Sequence, residues 1–154
     1  MTRTSSAAGT SGNFKNLAQS TVIALSMVGL TGCSTISQHQ FVEPTSNWQV
    51  RNGQLLYRTA KTSLIGDLLV RFSKNGDFEL TFSKGPGVPL LILRQDSQYA
   101  EAKGAFSRGG WAGPVTRAPQ PLQGWLGLRD VFLHAKNQRS LRYAANGETF
   151  LFRF

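Results

Sequence analysis

The chain has a single cysteine, Cys33, and only two histidines, His39 and His134. One thiol cannot form an internal disulfide or the multi-thiolate cage that structural zinc demands. A metal site needs several converging His, Cys or carboxylate ligands, and neither histidine has such company in sequence. No GxSxG, phosphate-binding glycine loop, dinucleotide fingerprint or HExxH occurs. Acidic side chains are scarce as well, eight against seventeen lysines and arginines. Asp67, Asp77, Glu79, Asp96, Glu101 and Asp130 fall mostly where turns or strand exteriors would carry charge anyway. No enzymatic activity, no cofactor and no metal are expected. A hydrolase on a compact β scaffold is the one catalytic reading left. An apolar run long enough to span a bilayer, about 20 residues, is also missing.

The longest apolar stretch, TVIALSMVGLTG, covers residues 21–32. Arg3 and Lys15 precede it and no acidic residue does. Basic residues, a short apolar segment and small residues in that order make a secretory signal. It ends in Leu30-Thr31-Gly32-Cys33, which resembles the lipobox of bacterial lipoproteins. The resemblance implies acylation of the Cys33 sulfur and cleavage before it, giving a signal peptide over 1–32. A thiolate is the nucleophile such acylation needs. Several acyl chains on one residue would hold the protein firmly on a membrane, where one would not. Ser34, rather than aspartate, points to the outer membrane by the enterobacterial sorting rule.

Residues 33–154 are one domain in length. The formal net charge of the whole chain is +9. For an exported protein that favours anionic lipid or an acidic protein over nucleic acid; the basic residues are spread along the chain rather than clustered, which favours a solubilising surface over a specific anionic site. Residues 34–47 are polar and aperiodic, and with Cys33 they read as a flexible tether.

From Trp48 onward the pattern is β. WQVRNGQLLYRT (48–59) shows two apolar stretches around Asn52-Gly53, a turn dipeptide. Leu68, Val70 and Phe72 share one side of the next segment. Phe78, Leu80 and Phe82 alternate with polar residues, as in a sheet with one buried face. Lys74 to Asp77 is a tight hairpin. VPLLILR (88–94) is almost wholly apolar, as expected of a strand covered on both faces. Residues 97–103 alternate weakly. Four glycines and three prolines exclude a regular element from 104–121. Residues 121–137 read as an apolar helix, with Leu122, Trp125, Leu126 and Leu133 on one side, widened by Leu128, Val131 and Phe132. Asn146-Gly147 predicts a type I′ hairpin with Tyr143 opposite Phe150 and Leu141 opposite Phe152. The expected class is mainly β (α+β): a curved antiparallel sheet or half-barrel of seven or so strands with one helical lid.

Two loops stand out. KGPGVP (84–89) places Gly85, Pro86, Gly87 and Val88 in a rigid connection, either a plain hairpin loop or a fixed protrusion. Trp111 lies among glycines, either folded onto the core or at a cavity mouth.

The order of these parts, from Trp48 and Gly53-Gln54-Leu55 through Gly66 to Phe72, DFELTFSKGPGVPLLILRQD (77–96) and the helix around Gly124-Trp125-Leu126, resembles the LolA/LolB family of lipoprotein carriers and receptors. LolB, itself an outer-membrane lipoprotein, is the nearer likeness. The resemblance implies a single β domain over 48–154, facing the periplasm from the outer membrane. It implies a lipid-binding apolar cavity and a role in lipoprotein localisation, with acylated lipoproteins or a periplasmic carrier as partners. Leu68, Val70, Phe72, Phe78, Leu80, Phe82, Leu91 and Leu93 would line that cavity beneath Trp125 and Phe132. The chain is shorter than is usual for the family, and near Pro86 it lacks the exposed leucine of the family's protruding loop. The same aromatics serve equally in a filled core. The second reading is therefore a non-enzymatic structural or adaptor lipoprotein of the cell envelope with a basic partner-binding surface.

Overall fold

The computed structural model describes residues 39–85, 87–135 and 138–154. Cys33, Pro86 and the signal segment lie outside the described residues. Eight strands form one antiparallel sheet: β1 (Gln49–Arg58), β2 (Ser63–Phe72), β3 (Phe78–Ser83), β4 (Pro89–Gln95), β5 (Tyr99–Lys103), β6 (Trp111–Pro114), β7 (Ser140–Ala145) and β8 (Glu148–Arg153). Their order across the sheet is β6-β5-β4-β3-β2-β1-β8-β7. One helix, α1 (Gln120–His134), connects β6 to β7. The sheet is open, edged by β6 and β7, and curves around α1.

Side-chain alternation fixes the faces. Leu55 and Tyr57, Leu68, Val70 and Phe72, Phe78, Leu80 and Phe82, Leu91 and Leu93, and Phe150 and Phe152 all point inward and are buried. Phe72 pairs with Phe78, and Lys74-Asn75-Gly76 turns the chain between β2 and β3. The Ser73 hydroxyl accepts the Asn75 and Asp77 N–H groups at 3.1 Å each. The β7–β8 hairpin has the expected register, with Tyr143 opposite Phe150 and Leu141 opposite Phe152. Asn146 and Gly147 both take positive φ, 53° and 79°, as a type I′ turn requires.

Four segments differ from their sequence patterns. Asn52-Gly53 is no turn; it lies inside the ten-residue β1. Strands pair on both sides of β1, and a Cβ on Gly53 would meet the Arg153 carbonyl, so this glycine serves close strand approach. Strand β4 is fully buried on one face only, since Ile92 is 36% exposed between buried Leu91 and Leu93. The glycine- and proline-rich stretch contains β6 and two 3₁₀ turns, Ala105–Ser107 and Val115–Arg117. A four-residue edge strand tolerates Pro114 at its end because fewer of its N–H groups need a partner.

Residues 39–47 have no regular structure but are packed on the sheet rather than hanging free. His39 stacks on Tyr99 with ring centroids 4.5 Å apart, and its Nε2 lies 2.6 Å from Asp96 Oδ2. Glu43 accepts a hydrogen bond from Arg94 at 2.9 Å, and the Arg94 guanidinium lies 5.3 Å from the Phe41 ring centre. This strap crosses the outer face over β3, β4 and β5.

Candidate functional site

Helix α1 brings two aromatic residues onto the concave face. Trp125 is surrounded by Tyr57, Phe82, Phe106 and Phe150, at centroid distances of 4.9, 5.7, 5.5 and 4.9 Å. Phe132 sits two turns later among Phe72, Phe78, Phe152 and Phe154, at 6.2, 5.9, 5.2 and 5.9 Å. These are ordinary tilted and edge-on contacts. The eight strand residues predicted to line a cavity therefore meet Trp125 and Phe132 under one helix, and each of the ten is 5% exposed or less. They form one continuous apolar core with Leu55, Leu122, Leu128 and Phe150. The larger grooves open elsewhere, at the outer face and at the ends of the sheet.

Sequence reasoning missed Phe106, which reaches Trp125 and Phe82 from the irregular segment after β5. It also missed Tyr57 as a site residue, although its place two residues after Leu55 marks it as inward-facing. Trp111 is on β6, half-buried against the core.

One polar pair interrupts the apolar face. The Tyr57 hydroxyl donates to Glu148 Oε1 at 2.5 Å. Glu148 Oε2 is buried against Gly124 with no hydrogen-bond partner among the described residues. Burial pushes the Glu148 carboxyl up, only partly offset by the Tyr57 hydrogen bond. Burial, followed by the Glu148 hydrogen bond and charge, pushes the Tyr57 hydroxyl up in turn. Gly124 is small because the carboxylate occupies the space of a side chain. Gly127 leaves the same room for the Tyr143 hydroxyl. The two helix glycines, unfavourable for helix propensity by about 1 kcal/mol each, thus let α1 approach β8 and β7. Near the helix C-terminus, Arg129 Nε donates to the Gly76 carbonyl at 2.7 Å, tying α1 to the β2–β3 hairpin.

At the loop between β3 and β4, Gly85 and Gly87 take φ of 75° and 90°, and a Cβ on either would meet nothing. Val88 is 60% exposed there. The loop projects an aliphatic side chain into solvent.

The outer face divides by charge. Arg71, Glu79, Arg94 and Glu101 lie opposite one another across β2 to β5, an alternating row. Arg94 Nε is 2.8 Å from Glu79 Oε1, an ion pair by distance though not angled as a hydrogen bond. Beyond β2 the row of acids stops. Arg58, Arg142 and Arg153 occupy outward positions on β1, β7 and β8, and Asp67 is the one acidic residue on the outer face of β2, β1, β8 and β7.

Among the described residues, no three His, Cys, Asp or Glu side chains converge as metal ligands would. No described helix is long and apolar enough to cross a membrane. No family model, curated protein or solved structure matches the chain.

Proposed function

We propose that this protein is a non-enzymatic lipoprotein of the bacterial envelope. It is anchored through acylated Cys33 to the periplasmic side of the outer membrane and acts through its surface as an adaptor. The observation that carries the adaptor role is the filled concave face. Eight strand side chains that could have lined a lipid cavity are packed with Trp125, Phe132 and their aromatic neighbours. What remains to bind a partner is a basic exterior. The anchor rests on Leu30-Thr31-Gly32-Cys33 behind an apolar segment. Cys33→Ala expressed in a bacterial host should yield an unprocessed chain without acyl chains by intact mass. A variant still acylated removes the anchor from this reading.

The LolB-like alternative, acyl-chain binding in lipoprotein localisation, is favoured by one observation: the sheet's aromatic face is roofed by a single helix. An acyl chain would have to displace Trp125 or Phe132. Displacement of a fluorescent fatty-acyl probe by the purified protein separates the two readings. Absence of saturable binding by a folded chain supports the adaptor. Saturable binding that is lost in Phe82→Glu or Trp125→Glu supports the carrier.

A further inference from the structure

The strap lies over part of the outer face of β3, β4 and β5, and the outer face of β2, β1, β8 and β7 forms the bare half. On the bare half, Leu56 of β1 lies opposite Ile65 of β2 on one side and Leu151 of β8 on the other, and Arg142 of β7 follows Leu151. Three aliphatic side chains thus stand in one row across adjacent strands. Ile65 is 64% exposed, and Leu151 is 37% exposed. Exposed arginines flank the row: Arg58 two positions beyond Leu56, Arg153 two beyond Leu151, and Arg142 at its end. Asp67, across from Gln54, is the single opposing charge.

We propose that this bare half-face lies against an anionic phospholipid surface. An aliphatic row flanked by three arginines matches a lipid interface, apolar beneath and negatively charged at the headgroups. The strap adds a second reason, which rests on the anchor reading above. His39 is held on the same outer face by Asp96 and Tyr99. Six peptide links separate it from Cys33, which allows a reach of about 20 Å at full extension. An acyl anchor on so short a lead keeps the outer face near the membrane. The outer face of the sheet then meets the lipid, and α1 faces away.

The test uses the full chain carrying Ile65→Cys or Gln123→Cys, each labelled with a bimane fluorophore, with acylation read separately by intact mass. Gln123 is exposed on α1, on the opposite side of the molecule. On vesicles of brominated phosphatidylglycerol and phosphatidylethanolamine, the label at 65 should be quenched and the label at 123 should not. Brominated phosphatidylcholine should quench neither. Reversing the three arginines (Arg58→Glu, Arg142→Glu, Arg153→Glu) should weaken vesicle binding by roughly a hundredfold or more. These outward positions leave the core intact, which an unchanged unfolding midpoint verifies. An acylated chain whose two labels are quenched equally overturns the proposal and leaves the anchor standing. An unacylated chain (Cys33→Ala then keeping the label off residue 33) quenched only at 65 removes the anchor and leaves the surface standing. Protection of residue 65 by an envelope protein, with no response to phosphatidylglycerol, overturns it in favour of an acidic protein partner.

Discussion

Single residues in this fold answer for unusual local chemistry, Glu148 above all. Burial favours its protonated form in the folded state. Its contribution to stability is therefore fully present below the carboxyl's unfolded pKa and is lost as pH rises through the higher folded value. Glu148→Gln keeps an acceptor for the Tyr57 hydroxyl and has no charge to bury. Its melting temperature should fall less than that of the parent between pH 4 and pH 8, about the range where a raised carboxyl titrates. A parallel pair of curves would show that the carboxyl is not buried as described. Phe132 tests the other kind of residue. From α1 it touches four aromatic rings, those of Phe72 on β2, Phe78 on β3, Phe152 on β8 and the C-terminal Phe154, so Phe132→Ala should cost about 3–5 kcal/mol in denaturant unfolding. A loss under about 1 kcal/mol would mean that the helix is only loosely seated.

Elements differ in how plainly the sequence declares them. The β7–β8 hairpin is legible because three signals coincide: a turn dipeptide, matching aromatic positions and a two-residue period. Asn52-Gly53 carries the same dipeptide without that agreement, and there the pairing of β1 on both sides overrides it. Strand β6 is hidden by glycine and proline, since its formation depends on β5 rather than on its own propensity. The strap has no period at all; single contacts from His39, Phe41 and Glu43 hold it, and only the folded sheet supplies their partners. Its hold should depend on pH. Burial opposes ionisation of Asp96, but the N–H groups of Gln98 and Tyr99 and the His39 ring outweigh it, so the carboxyl is held low. Stability from Asp96 is thus present above its unfolded pKa and fades as pH falls through the lower folded value. Asp96→Asn should leave the sheet folded and make residues 39–47 cleave several-fold faster under limited proteolysis at neutral pH. Unchanged cleavage would show that stacking on Tyr99 suffices. At the hairpin, Gly147→Val forces a β-branched side chain to φ of 79° and should lower stability by about 1–3 kcal/mol, read from the urea midpoint.

At the scale of the molecule, the mainly β architecture follows from hydrophobic alternation and the one helix among the described residues from its apolar stripe, and the residues of the concave face were readable strand by strand. Whether that face encloses space was not readable, because a cavity wall and a filled core use the same side chains. Phe106, arriving from an irregular segment, is part of what fills it. The outer face was equally hidden: its division into an ion-paired half and an arginine-flanked half depends on which strands become neighbours. That neighbour order also has a kinetic side. Gln54 pairs with Arg153, so the first strand acquires its second partner from nearly the last residues of the sequence. Such distant closure is slow, and until it occurs one edge of β1 stays open. A polypeptide delivered through a narrow channel with its amino end leading could zip β1 to β5 into place yet not finish the sheet before residue 153 emerged. The topology thus leaves one edge of β1 unpaired until the last residues arrive, and it makes the interval between arrival and closure the moment when a holding chaperone matters most.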